Sequence, residues 1–181
     1  MKEVEMTELE EKMLNAVEMA CKEIYEQRTL PSTTSWTIAI TKELVQLGKN
    51  HNMVTCANYG EKDRGEWLWD ICWIKTSSNT LDWNNFRGVK FACEIVWERT
   101  ATLTEILEDY LKLVIADCEY RLFIFEPANQ ANFDEVVEKL MAMSNNFSNK
   151  NGFMVKRFMV IGVLPWNHGE IRTPLVKVWM T

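Results

Sequence analysis

The sequence is poor in the residues that break or loosen a chain. It has only 7 glycines and 4 prolines among 181 residues. Collagen-like repeats, long linkers and low-complexity tails are therefore excluded. Apolar residues make up 47% of the chain and charged residues 25%, as in ordinary globular proteins. The length and composition predict a single domain over residues 1–181.

Cysteine and histidine are too few and too scattered for a zinc site. The five cysteines form no CxxC pair, and the two histidines, His51 and His168, stand far from them in the sequence. An odd number of cysteines without regular spacing also argues against a disulfide framework. Most cysteines have apolar neighbours, which is typical of buried thiols in a reducing compartment. We therefore expect a cytoplasmic location.

Excess positive charge and long apolar runs are also absent. The chain has 20 Lys and Arg against 26 Asp and Glu, a net charge of −6. Any binding of nucleic acid would thus depend on a local basic patch. Lys150, Lys156, Arg157 and Arg172 could form one, or could be ordinary solvated charges. The first residues, MKEVEMTELEE, do not resemble a signal peptide, and no apolar run approaches the ~20 residues of a membrane span, so no membrane association is expected.

Apolar periodicity and capping signals predict the secondary structure. Thr7 and Glu10 form a capping box that begins a helix over 7–27. Ser35 is predicted to cap a second helix over 36–47, which Gly48 would close. Strands are predicted over 53–57, 66–75, 89–97, 121–125, 158–164 and 175–180, with a hairpin loop over 77–88. Further helices are predicted over 105–117, capped by Thr104, and 133–143, with a polar loop over 145–152.

The order of these elements predicts an α/β fold with a mixed central β-sheet flanked by helices. Antiparallel strands come first and βαβ units follow. The core of the sheet is expected over about 35–126, with a helix and strands over 132–181 completing the domain.

Tryptophan is more abundant than usual, with eight copies in the chain. Trp67, Trp69 and Trp73 are predicted to share one face of a strand. A bulky apolar core explains this cluster, and a platform on which nucleobases stack is the alternative.

Two carboxylates interrupt otherwise apolar predicted strands. Asp70 lies in EWLWDICWIK and Glu94 in VKFACEIVW. If the two strands are hairpin partners, Asp70 and Glu94 lie side by side. Two such carboxylates with a main-chain carbonyl suit Mg²⁺. Alternatively, each acid pairs with Arg or Lys, or protrudes at an edge of the sheet.

This arrangement resembles the PD-(D/E)XK nuclease superfamily, which has the restriction-endonuclease-like fold. The matching pieces are Glu43 in TKELVQLG, Asp70 in GEWLWDICW and Glu94 in ACEIVWE, followed by the helix ILEDYLKL and the strand YRLFIF. The resemblance covers roughly residues 35–125. It implies a metal-dependent endonuclease that hydrolyses phosphodiester bonds of nucleic acid, with DNA as the expected partner. Many such nucleases act as homodimers, so a homodimer is also an expectation.

The resemblance also assigns roles to individual residues. Asp70 and Glu94 would bind one or two Mg²⁺ or Mn²⁺ ions, and the carbonyl of Ile95 could be a third ligand. Glu43 would be a supplementary ligand. Glu98 is a weaker candidate ligand.

The sequence departs from the superfamily where the pattern places a catalytic lysine, because that position is Val96. Lys112, on the following helix, could replace it, with Asp109 one turn earlier on the same face. The two could instead form a surface ion pair. A second hypothesis is therefore a catalytically degenerate nuclease fold that serves as a nucleic-acid- or protein-binding module. A third is an α/β domain with an accidental likeness.

Overall fold

A computed structural model describes residues 2–26, 30–65, 67–78, 82, 84–97, 103–151, 156–165 and 172–181, with the side chains of 149–151 left aside. The helices of this part of the chain are α1 (Glu8–Tyr25), α2 (Thr33–Asn50), α3 (Leu103–Ile115) and α4 (Gln130–Asn151). The strands are β1 (Lys2–Glu3), β2 (Val54–Ala57), β3 (Ile71–Thr76), β4 (Phe86–Val96), β5 (Cys118–Phe125), β6 (Arg157–Gly162) and β7 (Leu175–Met180).

The described strands form one seven-stranded mixed sheet in the order β1-β7-β6-β5-β4-β3-β2. Strands β4, β5 and β6 are parallel to one another, whereas the other neighbouring pairs are antiparallel. Helices α3 and α4 provide the crossovers that parallel neighbours require. The predicted α/β fold with a mixed sheet flanked by helices is confirmed.

The helices cover both faces of the sheet and create two apolar layers. On one face, residues of α1 and α2 such as Val17 and Ile40 pack against Trp73. On the other, residues of α3 and α4 such as Tyr110 and Leu140 pack together with Trp69. The prediction that Trp67, Trp69 and Trp73 share a strand face is therefore wrong, because β3 begins only at Ile71.

Several predicted boundaries differ from the structure for local reasons. The hydroxyl of Ser32, rather than that of Ser35, caps α2 and accepts a hydrogen bond from the main-chain N–H of Ser35 at 3.1 Å. Helix α3 begins at Leu103, before the predicted cap Thr104. Helix α4 continues through the predicted loop over 145–152 as far as Asn151, since Phe147 packs against the apolar layer. The capping box at Thr7 and Glu10 is confirmed.

Two of the cations considered for a phosphate-binding patch have other partners. The Arg157 guanidinium forms two hydrogen bonds with the carboxylate of Glu10, at 2.7 and 2.6 Å. The ammonium of Lys156 is buried and donates to the main-chain carbonyl of Val114 at 2.7 Å. Because both cations are engaged inside the fold, the suggested patch of Lys150, Lys156, Arg157 and Arg172 does not form as a set; the side chain of Lys150 lies outside the described part.

Across the described residues, no helix combines the length and apolar character that a bilayer span requires.

Gly48 does not end α2, contrary to the sequence prediction, but lies within the helix against the sheet. A Cβ atom at this position would come within 2.6 Å of Nε1 of Trp73 and 2.9 Å of Cγ2 of Thr55. Separations this short are far inside van der Waals contact. Glycine is therefore required here because α2 approaches the sheet closely.

We predict that Gly48→Ala lowers the free energy of unfolding by about 1–3 kcal/mol, the usual cost of overpacking a core. Alanine normally favours a helix over glycine, so the steric effect has to outweigh that gain. Urea denaturation measures the change. Gly65→Ala is the control, since a Cβ there would meet no atom within 4 Å. A Gly48→Ala protein at least as stable as the wild type would contradict the packing argument.

Candidate functional site

Asp70 lies just before β3, and Glu94 lies on β4, the strand that pairs with β3. The antiparallel register pairs Ile71 with Cys93, so the residue before Ile71 faces the residue after Cys93. The sequence predicted that Asp70 lies inside this strand, but β3 begins only at Ile71. Oδ2 of Asp70 accepts a hydrogen bond from the main-chain N–H of Ile95 at 2.7 Å. The Asp70 carboxylate thereby takes the place of the main-chain carbonyl that would otherwise accept from Ile95. Strand β3 begins at the next residue.

The Glu94 carboxylate is buried between β4 and α3, with only 3% of the residue exposed. Its Oε2 accepts a hydrogen bond from Nζ of Lys112 at 3.2 Å. Its other oxygen, Oε1, is also buried and has no hydrogen-bond partner among the described residues. A buried carboxylate oxygen that lacks a hydrogen bond lowers the stability of the fold. It is therefore available to a ligand, a water molecule or a proton.

Lys112 joins this group from α3, together with Asp109. The Lys112 ammonium lies 2.8 Å from Oδ1 of Asp109, one turn earlier on the helix, and 3.2 Å from Glu94. Both sequence alternatives for this pair are partly realised, because Lys112 is half-exposed and also reaches the buried carboxylate. The structure thus brings together four of the predicted site residues: Asp70, Glu94, Asp109 and Lys112.

The charges of this group change its acid–base properties. Burial, and then the negative charge of Asp70, raise the pKa of Glu94 to about 8, although Lys112 acts in the opposite direction. Burial tends to lower the pKa of Lys112, but the hydrogen bonds and charges of Asp109 and Glu94 outweigh it, so that this pKa lies above its ordinary value. Lys112 is therefore a permanent cation at neutral pH.

Side chains from three other parts of the chain hold the end of α3 that carries Lys112. The indole N–H of Trp69 donates to the Lys112 carbonyl at 3.3 Å. The buried guanidinium of Arg121 donates to the carbonyls of Leu113 and Ala116 at 3.1 and 2.7 Å. Lys156 donates to the Val114 carbonyl. These side chains satisfy carbonyls that the end of a helix leaves without partners.

Sequence reasoning missed the roles of Trp69, Arg121 and Lys156. A signal was present for Arg121, which is a single charged residue in the apolar strand segment YRLFIF. A buried arginine requires several acceptors, and the last turn of the preceding helix offers them. A comparable signal marks Lys156, which together with Arg157 interrupts the apolar segment FMVKRFMV.

Ile95 and Val96 occupy the positions that the superfamily pattern emphasises. The N–H of Ile95 points towards Asp70, and in a strand the carbonyl of the same residue points to the same side. The Ile95 carbonyl is therefore directed to the side of β4 where Asp70 lies. Val96 is 9% exposed and packs in the apolar layer beneath α3 and α4.

The remaining candidates lie apart from this group or outside the described residues. Glu43 is half-buried on α2 and lines a shallow hollow with Gly60 and Glu61. None of the described contacts connects Glu43 with Asp70 or Glu94. Glu98 and His168 fall outside the described residues.

The donor set suits a hard cation rather than zinc. Among the residues that the structure describes, no group of three or more His, Cys, Asp or Glu side chains is placed to hold a metal ion. Mg²⁺, however, commonly binds through one or two carboxylates and completes its shell with water and phosphate oxygens. The facing pair Asp70 and Glu94, with the unpaired Oε1 of Glu94, fits that mode of binding.

Compared with known proteins, the chain matches no family model, no curated protein and no solved structure. The functional argument therefore depends on the fold and on the geometry of the site.

We predict that Glu94→Gln makes the stability of the protein less dependent on pH. With a pKa of about 8 in the folded state and 4.5 as its ordinary value, Glu94 has to give up a proton on unfolding between these limits. The wild type therefore loses stability as the pH rises through this window, by up to about 1.4 kcal/mol per pH unit. The glutamine variant lacks this loss, so its stability relative to the wild type should increase from pH 5 to pH 8.

Thermal denaturation at several pH values checks this expectation. Glu108→Gln, at an exposed acid on the neighbouring helix α3, is the control and should leave the pH profile unchanged. A constant difference between the wild type and Glu94→Gln across the range would contradict the raised pKa.

Proposed function

We propose that this protein is a metal-dependent nuclease of the restriction-endonuclease-like fold, which hydrolyses phosphodiester bonds of nucleic acid, with DNA as the expected substrate. One observation carries the proposal. A buried carboxylate, Glu94, faces a second one, Asp70, and has an oxygen without a hydrogen-bond partner among the described residues, while a lysine reaches it from the next helix.

The order of elements around the site supports this proposal. Helix α2 is followed by three antiparallel strands, β2 to β4, and then by α3 and the parallel strand β5. The same order of helix, acid-bearing strands, helix and strand underlies the resemblance noted in the sequence.

Asp70 and Glu94 would hold Mg²⁺ or Mn²⁺, with the Ile95 carbonyl as a third ligand. When bound, such an ion polarises the phosphate and lowers the pKa of its coordinated water. Glu43 is left out of the proposed ligand set, because α2 packs on the face of the sheet opposite α3 and no described contact connects Glu43 with the pair.

Lys112 takes the part of the lysine that Val96 replaces. Its raised pKa keeps it protonated, so it acts as a cation that stabilises the negative charge growing on the phosphate, and not as a general base. Asp109 is a positioning residue that keeps the Lys112 ammonium beside Glu94.

A second candidate function is a catalytically inactive nuclease fold that binds nucleic acid or protein. The observation that favours it is Val96, which packs in the apolar layer and leaves the usual lysine position without a polar group. The net charge of −6 points the same way. The two candidates differ in whether the carboxylate pair binds metal and whether Lys112 matters for cleavage.

The cellular setting of the proposal is the cytoplasm. All five cysteines are free thiols, which is compatible with a reducing compartment. A homodimer is part of the same proposal.

We predict that Mn²⁺ binds to the wild type and that Asp70→Asn and Glu94→Gln each abolish the heat of binding in titration calorimetry, since each removes a charged ligand. Cleavage of plasmid and single-stranded DNA with Mn²⁺ should be lost in Glu94→Gln. It should fall about 100-fold or more in Lys112→Met, the usual scale for loss of a charge-stabilising group.

The matched control for Lys112 is Lys139→Met. Lys139 is similarly exposed, and it pairs with an acid one turn away on its own helix, Glu135, at 2.6 Å. Metal binding without any cleavage would favour the inactive module. Cleavage that survives Glu94→Gln would refute the assignment of the site.

A further inference from the structure

Trp67 and Phe86 form an exposed aromatic surface that begins at Trp67, three residues before Asp70, and extends to Phe86, eight residues before Glu94 on β4. Trp67 is 52% exposed and Phe86 39% exposed, although both are large apolar side chains. Their rings meet edge to face, with centroids 6.5 Å apart and planes at 82°. The Trp67 ring is also perpendicular to that of Trp69, at 6.2 Å. Trp67 therefore contacts two other aromatic rings while half of its surface is open to solvent.

This surface is tied to the candidate site through Trp69. Trp69 is buried and donates its indole N–H to the main-chain carbonyl of Lys112. Asp70 follows directly in the sequence and contacts Ile95. Since three residues of chain extend at most about 11 Å, Trp67 lies within that distance of Asp70 along the backbone. A few nucleotides span such a distance.

An aromatic ring with an open face can receive a nucleobase, but only one that is unpaired and unstacked. Stacking of bases on aromatic side chains is the main sequence-independent interaction of single-stranded nucleic acid with proteins. In a duplex, the faces of the bases are covered by their neighbours.

We propose that Trp67 and Phe86 form a stacking platform for unpaired bases, so that the substrate of the site is single-stranded nucleic acid or a single-stranded segment of a duplex. This inference rests on the proposed nuclease function for its location, but it concerns binding and can be tested without cleavage. It also explains why Trp67 is exposed, which packing alone does not.

The test measures binding of a fluorescently labelled oligothymidylate of about twelve nucleotides, within the usual site size, by fluorescence anisotropy in EDTA. We expect Trp67→Leu to weaken binding by about 5- to 150-fold, the equivalent of one lost stacking interaction. Trp67→Phe should keep most of the affinity, because it retains an aromatic face. Phe86→Leu should weaken binding in the same direction.

Met19→Leu is the matched control, because Met19 is 61% exposed and belongs to α1 on the opposite face of the sheet. It should leave binding unchanged. A blunt duplex of the same length should bind more weakly and be indifferent to the substitutions at Trp67. Circular dichroism establishes whether each variant is folded. If Trp67→Leu does not fold, the binding of Trp67→Phe and Phe86→Leu decides the test.

The outcomes separate this inference from the proposed function. Trp67-dependent binding without Mn²⁺ binding or cleavage would keep the platform and refute the nuclease. Cleavage that depends on Glu94 but is unaffected by Trp67→Leu would refute the platform alone. No binding of the oligonucleotide by the wild type, or equally tight binding of the duplex, would also overturn the platform, and the surface would then belong to a protein partner.

Discussion

Burial of the Glu94 carboxylate between β4 and α3 is the constraint on which the rest of the site depends. A charge in this position needs a partner, and Lys112 supplies one only if α3 lies at a fixed depth and rotation on the sheet. Trp69, Arg121 and Lys156 fix that position by binding the last carbonyls of α3. The three come from segments far apart in sequence, so the site depends on correct assembly of the whole face of the sheet.

The polar groups of this face come at an energetic cost. Arg121 and Lys156 are buried cations whose described hydrogen bonds go to neutral carbonyls, and one oxygen of Glu94 has no described partner. A sequence selected for stability alone would avoid such groups, since apolar residues of similar size are usually as stable or more so. Arg121 and Lys156 bind the C-terminal end of α3, whereas the charges that act on Glu94 are those of Asp70, Lys112 and Asp109.

The sequence predicted what depends on local periodicity and missed what depends on distant contacts. The hairpin spacing was enough to predict that Asp70 lies near Glu94, but the predicted alternation along a strand does not include Asp70, which lies just before β3. A three-residue spacing on a helix was enough to link Asp109 with Lys112. By contrast, Gly48 gave the same signal as a helix terminus, and only its contact with Trp73 reveals a glycine needed for close packing. The apolar character of residues 66–70 suggested a strand, yet Trp69 packs on α3 instead of joining the sheet.

The pairing of β1 with β7 has a consequence for how the protein is made. Lys2 lies opposite Met180 in the register of the sheet, so β1 has no neighbouring strand until residues 175–180 have left the ribosome. Contacts between such remote positions form late, because closing a long loop is entropically unfavourable. Until then, β6 has an unpaired edge and β1 has no partner, and the growing polypeptide must avoid pairing these strands with other molecules.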